Sequence, residues 1–212
     1  MQPEYTRRER QVDRIVHLVG VAASLVAAGV LLGRVIPTHD ALSIIAATVY
    51  SAGLVATFGL SASYNLVVHP VRKETLRKFD HAMIFVMIAG TYTPFALVSL
   101  GGTLGMALFA VVWIVAIGGF ALKFVRPRRF ERVSVLLYLA LGWFGLFAIN
   151  ELVTTLTAPA FLLLGSGGIL YTIGVVFHLW KTLPYHNAVW HAFVAGGAGC
   201  HYIAVLEAVV SR

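Results

Sequence analysis

Seven stretches of the chain are nearly free of charge and long enough, at about 20 residues each, for an α-helix to cross the hydrocarbon core of a bilayer. They run Val12–Leu32, Ala41–Val68, Leu76–Leu100, Thr103–Phe124, Val133–Leu152, Pro159–Trp180 and Ala188–Val210. Hydrocarbon offers no water to an unpaired N–H or C=O, so each such stretch must satisfy its backbone internally as a helix. The composition agrees: 59% of residues are hydrophobic and 12% charged, against roughly 25% charged in a soluble domain. We therefore expect an all-α, seven-transmembrane-helix bundle, a single integral membrane domain over residues 1–212 with short loops. The first stretch follows a cluster of arginines, as a signal peptide would. It contains Asp13 and His17, however, and Gly33-Arg34 follows with no small-residue cleavage site, so it reads as a membrane helix.

Charge placement sets the orientation. Arg7, Arg8, Arg10 and Arg14 precede or open the first helix, Arg72, Lys73, Arg77 and Lys78 fill the second connection, and Lys123, Arg126, Arg128, Arg129 and Arg132 fill the fourth. Lys181 lies in the sixth. With seven crossings all of these face one side, leaving Arg34 and Arg212 opposite, so the positive-inside rule puts the amino terminus in the cytoplasm and the carboxyl terminus outside. The basic surplus is thereby explained by anionic lipid headgroups at the cytoplasmic loops, with no nucleic-acid partner. The lone Cys200 makes no internal disulfide.

The polar residues inside the spans fall in one layer. Phe79–Phe95 places Asp80 and His81 at the mouth of an uncharged helix that ends at Pro94, where a bend is expected, with Thr91 and Thr93 available to the backbone groups it frees. Ser61 and Asn65 are four apart in helix two, Asn187 and His191 four apart at the start of helix seven, and Asp13 and His17 four apart in helix one. Residues four apart share a helix face, and all six lie in the cytoplasmic third of the predicted bundle. An acid in a membrane helix is a functional candidate that must face the interior, so Asp80 is expected to meet His191, His17 or an asparagine. His69 and His186, near loops, are expected to be solvated. His178 should lie at the interface, and His201 too far up helix seven to join His191. Trp113, Trp143, Trp180 and Trp190 read as lipid-facing or belt residues. The glycine clusters at 101–105, 165–168 and 196–199 read as close helix packing.

Ser61-Ala-Ser-Tyr-Asn65, Phe79-Asp-His-Ala-Met-Ile-Phe with Ala89-Gly-Thr-Tyr-Thr-Pro94, Tyr171-Thr-Ile-Gly174 and Asn187-Ala-Val-Trp-His191 with Cys200-His201 together resemble the hemolysin III family. This is the bacterial branch of the progestin and adiponectin receptor superfamily, distantly related to alkaline ceramidases. The resemblance implies seven helices with the amino terminus inside, in the bacterial inner (cell) membrane. It also implies a zinc site near the cytoplasmic face, made of three histidines with an aspartate and a serine beside them. Carried onto this chain, the ligand positions are Asn65, Asn187 and His191, and the catalytic positions Asp80 and Ser61. Two of the three imidazoles are thus replaced by amides, which are poorer zinc donors. Asp80, His17, His81 and His186 lie at a level from which a site could be rebuilt.

Three functional readings follow. The first is lipid binding or membrane-state sensing through the polar layer. The second is zinc-dependent hydrolysis of a lipid amide or ester, with Asp80 acting on the water and Ser61 donating to the oxyanion. Proton or ion transport ranks below both, because no charged residue continues the path outward. Helix seven has no lysine for a retinal Schiff base, and no pore or insertion device is identifiable to carry a cytolytic role. The charge asymmetry makes a direct prediction. Reporter fusions should place the Arg126–Arg132 loop in the cytoplasm and Arg212 outside, and an external signal from that loop would reverse the orientation.

Overall fold

The computed structural model describes residues 6–125 and 131–210, and among them the chain is helical with no strand. The helices are α1 (Arg7–Val35), α2 (Ala41–Leu66), α3 (Pro70–Pro94), α4 (Gly102–Val125), α5 (Glu131–Gly142), α6 (Ile149–Thr155), α7 (Ala158–Leu179) and α8 (His186–Val210). They make seven helices long and apolar enough to span a membrane, α5 and α6 together forming the fifth, Val133–Thr155. Short polar side chains set several starts. Thr6 accepts from Glu9 N while Glu9 reaches back to Thr6 N, a reciprocal cap on α1. Asp40 caps α2 through Ser43 N, and Thr157 caps α7 through Ala160 N. Pro70, whose missing N–H costs nothing in a first turn, opens α3 six residues before the expected Leu76.

The third span is the centre of the bundle: 61% of its most apolar stretch is buried, against 17% for the fifth and sixth spans. Phe85 and Ala89 pack with Leu108, Val112 and Ala116 of α4 and Leu141 of α5. Met87, Phe95 and Val98 join a second core with Leu31, Tyr50, Leu54, Val205 and Val209. The expected disturbance at Pro94 takes the form of a wide turn. Residues Phe95–Leu100 are π-helical, Gly101 N donates to Ala96 O at 3.0 Å, and Thr91 and Thr93 donate to Met87 O and Ala89 O.

One interruption was not foreseen. The fifth span changes from α5 to a 3-10 segment at Phe144–Ala148 before α6 begins. Tyr92 of α3 repairs it, its hydroxyl donating to Gly142 O at 2.9 Å and accepting from Gly145 N at 2.6 Å. A broken helix is tolerated at membrane depth where a neighbour supplies such partners. Two tryptophans also depart from the lipid-facing reading: Trp113 donates to Thr93 of α3 and Trp143 to Thr172 of α7, each at 3.0 Å. Trp190 is half-buried beside His178, while Trp180 is exposed as expected. An indole N–H is a buried donor that must find an acceptor, which draws these rings between helices.

The ends of α1, α3 and α5 and the α7–α8 connection meet at one end of the bundle. Arg77 donates to Glu131 at 2.9 Å, and Tyr185 N to Glu9 at 3.0 Å. The basic clusters of the described residues thus share one end; Arg126, Arg128, Arg129 and Arg212 lie outside the described residues.

Close packing explains part of the glycine pattern. A Cβ on Gly167 or Gly197 would press within 3.0–3.1 Å of the other's carbonyl, while Gly165 and Gly199 have open space and Gly101 and Gly102 carry positive φ at the turn into α4. Adjacent glycines of α4 offer a test. A Cβ on Gly119 would lie 2.5 Å from the buried Phe85 ring, whereas one on Gly118 would meet nothing within 4 Å. Gly119→Ala should lower stability by about 1–3 kcal/mol through overpacking, and Gly118→Ala should not. Thermal denaturation of both variants in detergent checks this, and equal transitions would refute the packing described.

Candidate polar site at one end of the bundle

Three helices bring their four-residue pairs together. Asp13 and His17 come from α1, Ser61 and Asn65 from α2, and Asn187 and His191 from α8. The Asn187 amide donates to Asp13 Oδ1 at 2.9 Å and to Asn65 Oδ1 at 3.2 Å, and Asn65 Nδ2 donates to Ser61 O at 2.9 Å. The amides therefore tie the three helices together.

Hydrogen bonds also orient both imidazoles. His17 Nδ1 lies 2.7 Å from Asp13 O, and His191 Nδ1 lies 2.9 Å from Asn187 O. A carbonyl oxygen only accepts, so each Nδ1 carries a hydrogen, and in the neutral ring each Nε2 keeps its lone pair. Both Nε2 atoms point to one place, 3.4 Å from Ser61 Oγ, and the ring centroids are 4.2 Å apart. The hydroxyl has one proton and can donate to one nitrogen at a time. Asp13 Oδ1 stands 3.6 Å from both Nδ1 atoms. Asp80 lines the same cavity as Ser61 and His191. The site thus has two edges, with Asp13 and the asparagines behind the rings and Ser61 before them.

Asp80 is oriented inward, with its side chain 14% exposed, and lines the same cavity as Ser61 and His191, its closest ion-pair contact among the described residues being His81 Nε2 at 4.0 Å. His69 is exposed as expected. His186 is not solvated; it is 2% exposed, because the first turn of α8 folds it under the α7–α8 connection. His178 is half-buried against Trp190. His201 lies away from the cluster, its Nε2 3.0 Å from Leu164 O. His81 reaches only within 4.0 Å of Asp80, and its carbonyl accepts from Tyr138.

Among the described residues the group able to hold a metal ion is Asp13, His17 and His191, whose ligand atoms all lie within 4.8 Å of one another. One carboxylate and two imidazoles are zinc-type donors, and a ring N–H given to a backbone carbonyl is the usual support for a ligating histidine. The donor types are those of zinc, with α1 supplying the groups for which the resemblance looks to α2 and the start of α8, but Asp13 stands on the Nδ1 edge, so an ion held by all three needs the two rings released from their backbone carbonyls. Asn65 and Asn187 stand beside this group with their amides already engaged. The four-residue spacing in α1 was the available signal for Asp13 and His17. Nothing in the spacing showed that α1 would pack against α8.

The site opens on a cavity of about 850 Å³, lined at one end by His17, Ser61, Asn65, Asp80 and His191 and further along by Phe95, Leu108, Ile149, Phe161 and Leu164. Ligand pockets are of this size and character, mostly apolar with a few convergent polar groups.

The chain matches the family model "Haemolysin-III related" over residues 6–202. It is 38% identical over 199 residues to Hemolysin-3 of Bacillus cereus, covering 94% of this chain and 91% of that one. It is 37% identical over 202 residues to the Hemolysin-3 homolog of Bacillus subtilis (strain 168), covering 95% of each. The human Monocyte to macrophage differentiation factor is 29% identical over 178 residues, covering 79% of this chain and 72% of that protein. Aligned with its bacterial relatives almost end to end, this integral membrane protein belongs to the haemolysin III-related family.

Proposed function

We propose that this protein binds a membrane lipid, with the polar head at the polar end of the cavity and the chain along its apolar wall. A role in sensing or adjusting the state of a bacterial inner (cell) membrane follows from that binding. The observation that carries this is the cavity itself: about 850 Å³, polar at one level and hydrocarbon-like beyond it. Its polar end lies at the basic end of the bundle, which the charge rule assigns to the cytoplasm.

A second reading is favoured by the donor set. Asp13, His17 and His191 would hold zinc, which when bound supplies Lewis acidity toward a carbonyl and lowers the pKa of a coordinated water. With the two rings released from their backbone carbonyls to face Asp13, Asn187 would hold the Asp13 carboxylate in place, Asp80 would accept a proton and Ser61 would donate to a developing oxyanion. Such a site would hydrolyse a lipid amide or ester that enters from the bilayer.

The lipid reading predicts that protein purified in detergent retains near-stoichiometric lipid, measured by mass spectrometry of the extract. Ile84→Trp, which fills the cavity from its wall, should lose that lipid while keeping a folded thermal transition. Retention no higher than in an unrelated membrane protein would refute the reading.

The zinc reading predicts metal in the natural protein by elemental analysis after incubation with zinc; a protein that takes up none is not this hydrolase. Asn65 and Asn187 already touch, so Asn65→His with Asn187→His should present further imidazoles at one point and bind zinc more tightly. A double variant with neither more metal nor chelator-sensitive stability would show that these positions do not converge on an ion.

A further inference from the structure

The polar end of the cavity is lined by four bases, Lys73, Arg77, Lys123 and Lys181, against the acids Asp80 and Glu131. Arg77 is matched, with Nη1 2.9 Å from Glu131 and Nη2 2.9 Å from Glu74. Lys73 sits over the Tyr64 ring. Lys123 differs from both. It lies in the last turn of α4 and is 4% exposed, its Nζ is 5.8 Å from the centre of the Tyr138 ring, and among the described residues no carboxylate forms an ion pair with it. Glu131, which lines the same cavity, is held by Arg77.

A buried ammonium without an anion is costly. A cation–π contact at this distance offsets a small part of that cost. The side chain does not escape to water, since a snorkelling lysine would expose its head. It lines the cavity instead, together with Arg77, His81, His178 and Lys181. Low-dielectric walls focus the field of such a cluster on the space they enclose.

We propose that the basic end of the cavity binds the anionic head of a single-chain amphiphile, a carboxylate or a phosphate, ion-paired to Lys123. This rests on the lipid-binding reading and specifies its ligand. The hydrocarbon tail lies along Ile84, Ile88, Leu139 and Phe161. A pocket of this volume suits one drug-sized molecule and hence one chain. Asp80 repels an anion, so the head sits at Lys123 and leaves the His17–Ser61–His191 edge to the neutral part of the ligand.

Binding of dodecyl phosphate, dodecanoate, dodecanol and dodecyltrimethylammonium to the purified full chain in nanodiscs of zwitterionic lipid tests this, with inorganic phosphate as the soluble anion. The two anionic amphiphiles should bind about tenfold or more tighter than dodecanol, the scale of one charge-assisted hydrogen bond. The cationic amphiphile should bind worst, and inorganic phosphate should compete only weakly. Lys123→Met should remove the anionic preference without weakening dodecanol, and should leave the ligand-free protein as stable or more so. Lys123→Arg should keep the preference. The comparison of head groups on the natural protein decides the matter even if a variant does not fold. Equal binding of the anionic, neutral and cationic amphiphiles would overturn this inference alone. Binding by inorganic phosphate as tight as by dodecyl phosphate would move the source from a lipid to a free anion and overturn it too. No binding by any amphiphile would overturn the lipid-binding reading with it.

Discussion

A polar side chain inside hydrocarbon has to be answered by another polar group, and in this bundle the Asp13 carboxylate sets that requirement. Its demand is met across helices, by the Asn187 amide of α8, which in turn reaches Asn65 of α2. Close approach in lipid gains nothing from expelling water, so small residues and interhelical hydrogen bonds take over that work. Alanines 46, 47, 89 and 204 are wholly buried and let the backbones approach, and the amide chain sets which faces meet. Asp13 Oδ1 also stands 3.6 Å from the Nδ1 atoms of His17 and His191, so what holds these helices together also borders the site.

The other half of the molecule is built more loosely. The fifth span is short of buried surface and interrupted in its middle, and it borrows the Tyr92 hydroxyl to satisfy its broken backbone. Gly142, Trp143, Gly145 and Leu146 of this break line the cavity. The interruption and the cavity are therefore two aspects of one arrangement, with Trp143 fastening the break to Thr172 of α7. Trp113 does the same for α4 against Thr93. Both indole donors are used to join helices rather than to stand in a membrane belt.

Much of this was legible along the chain. Each helix exists because about 20 apolar residues leave the backbone no other way to satisfy itself, and the polar pairs four apart declare a common face whatever their neighbours are. The family membership was legible in the Phe79–Pro94 segment and in the pairs at Ser61 and Asn187. Apolar length says where a helix can lie in a bilayer and nothing about which helix lies beside it. So the break at Gly142, repaired by a residue 50 positions away, left no local trace, and His186 looked like a loop residue until the connection folded over it.

The sequence by itself determined seven membrane helices, one polar layer and the family, because length, charge and four-residue spacing are local properties of a chain. Only the tertiary structure decided that α1 packs beside α8 within that layer, so that Asp13 and His17 meet His191, and that the Lys123 ammonium at the end of α4 is enclosed with no carboxylate ion pair among the described residues. The physical reason is that lateral helix order in a membrane depends on which small and polar side chains match across interfaces, and that matching is a property of pairs of helices brought together by the whole fold.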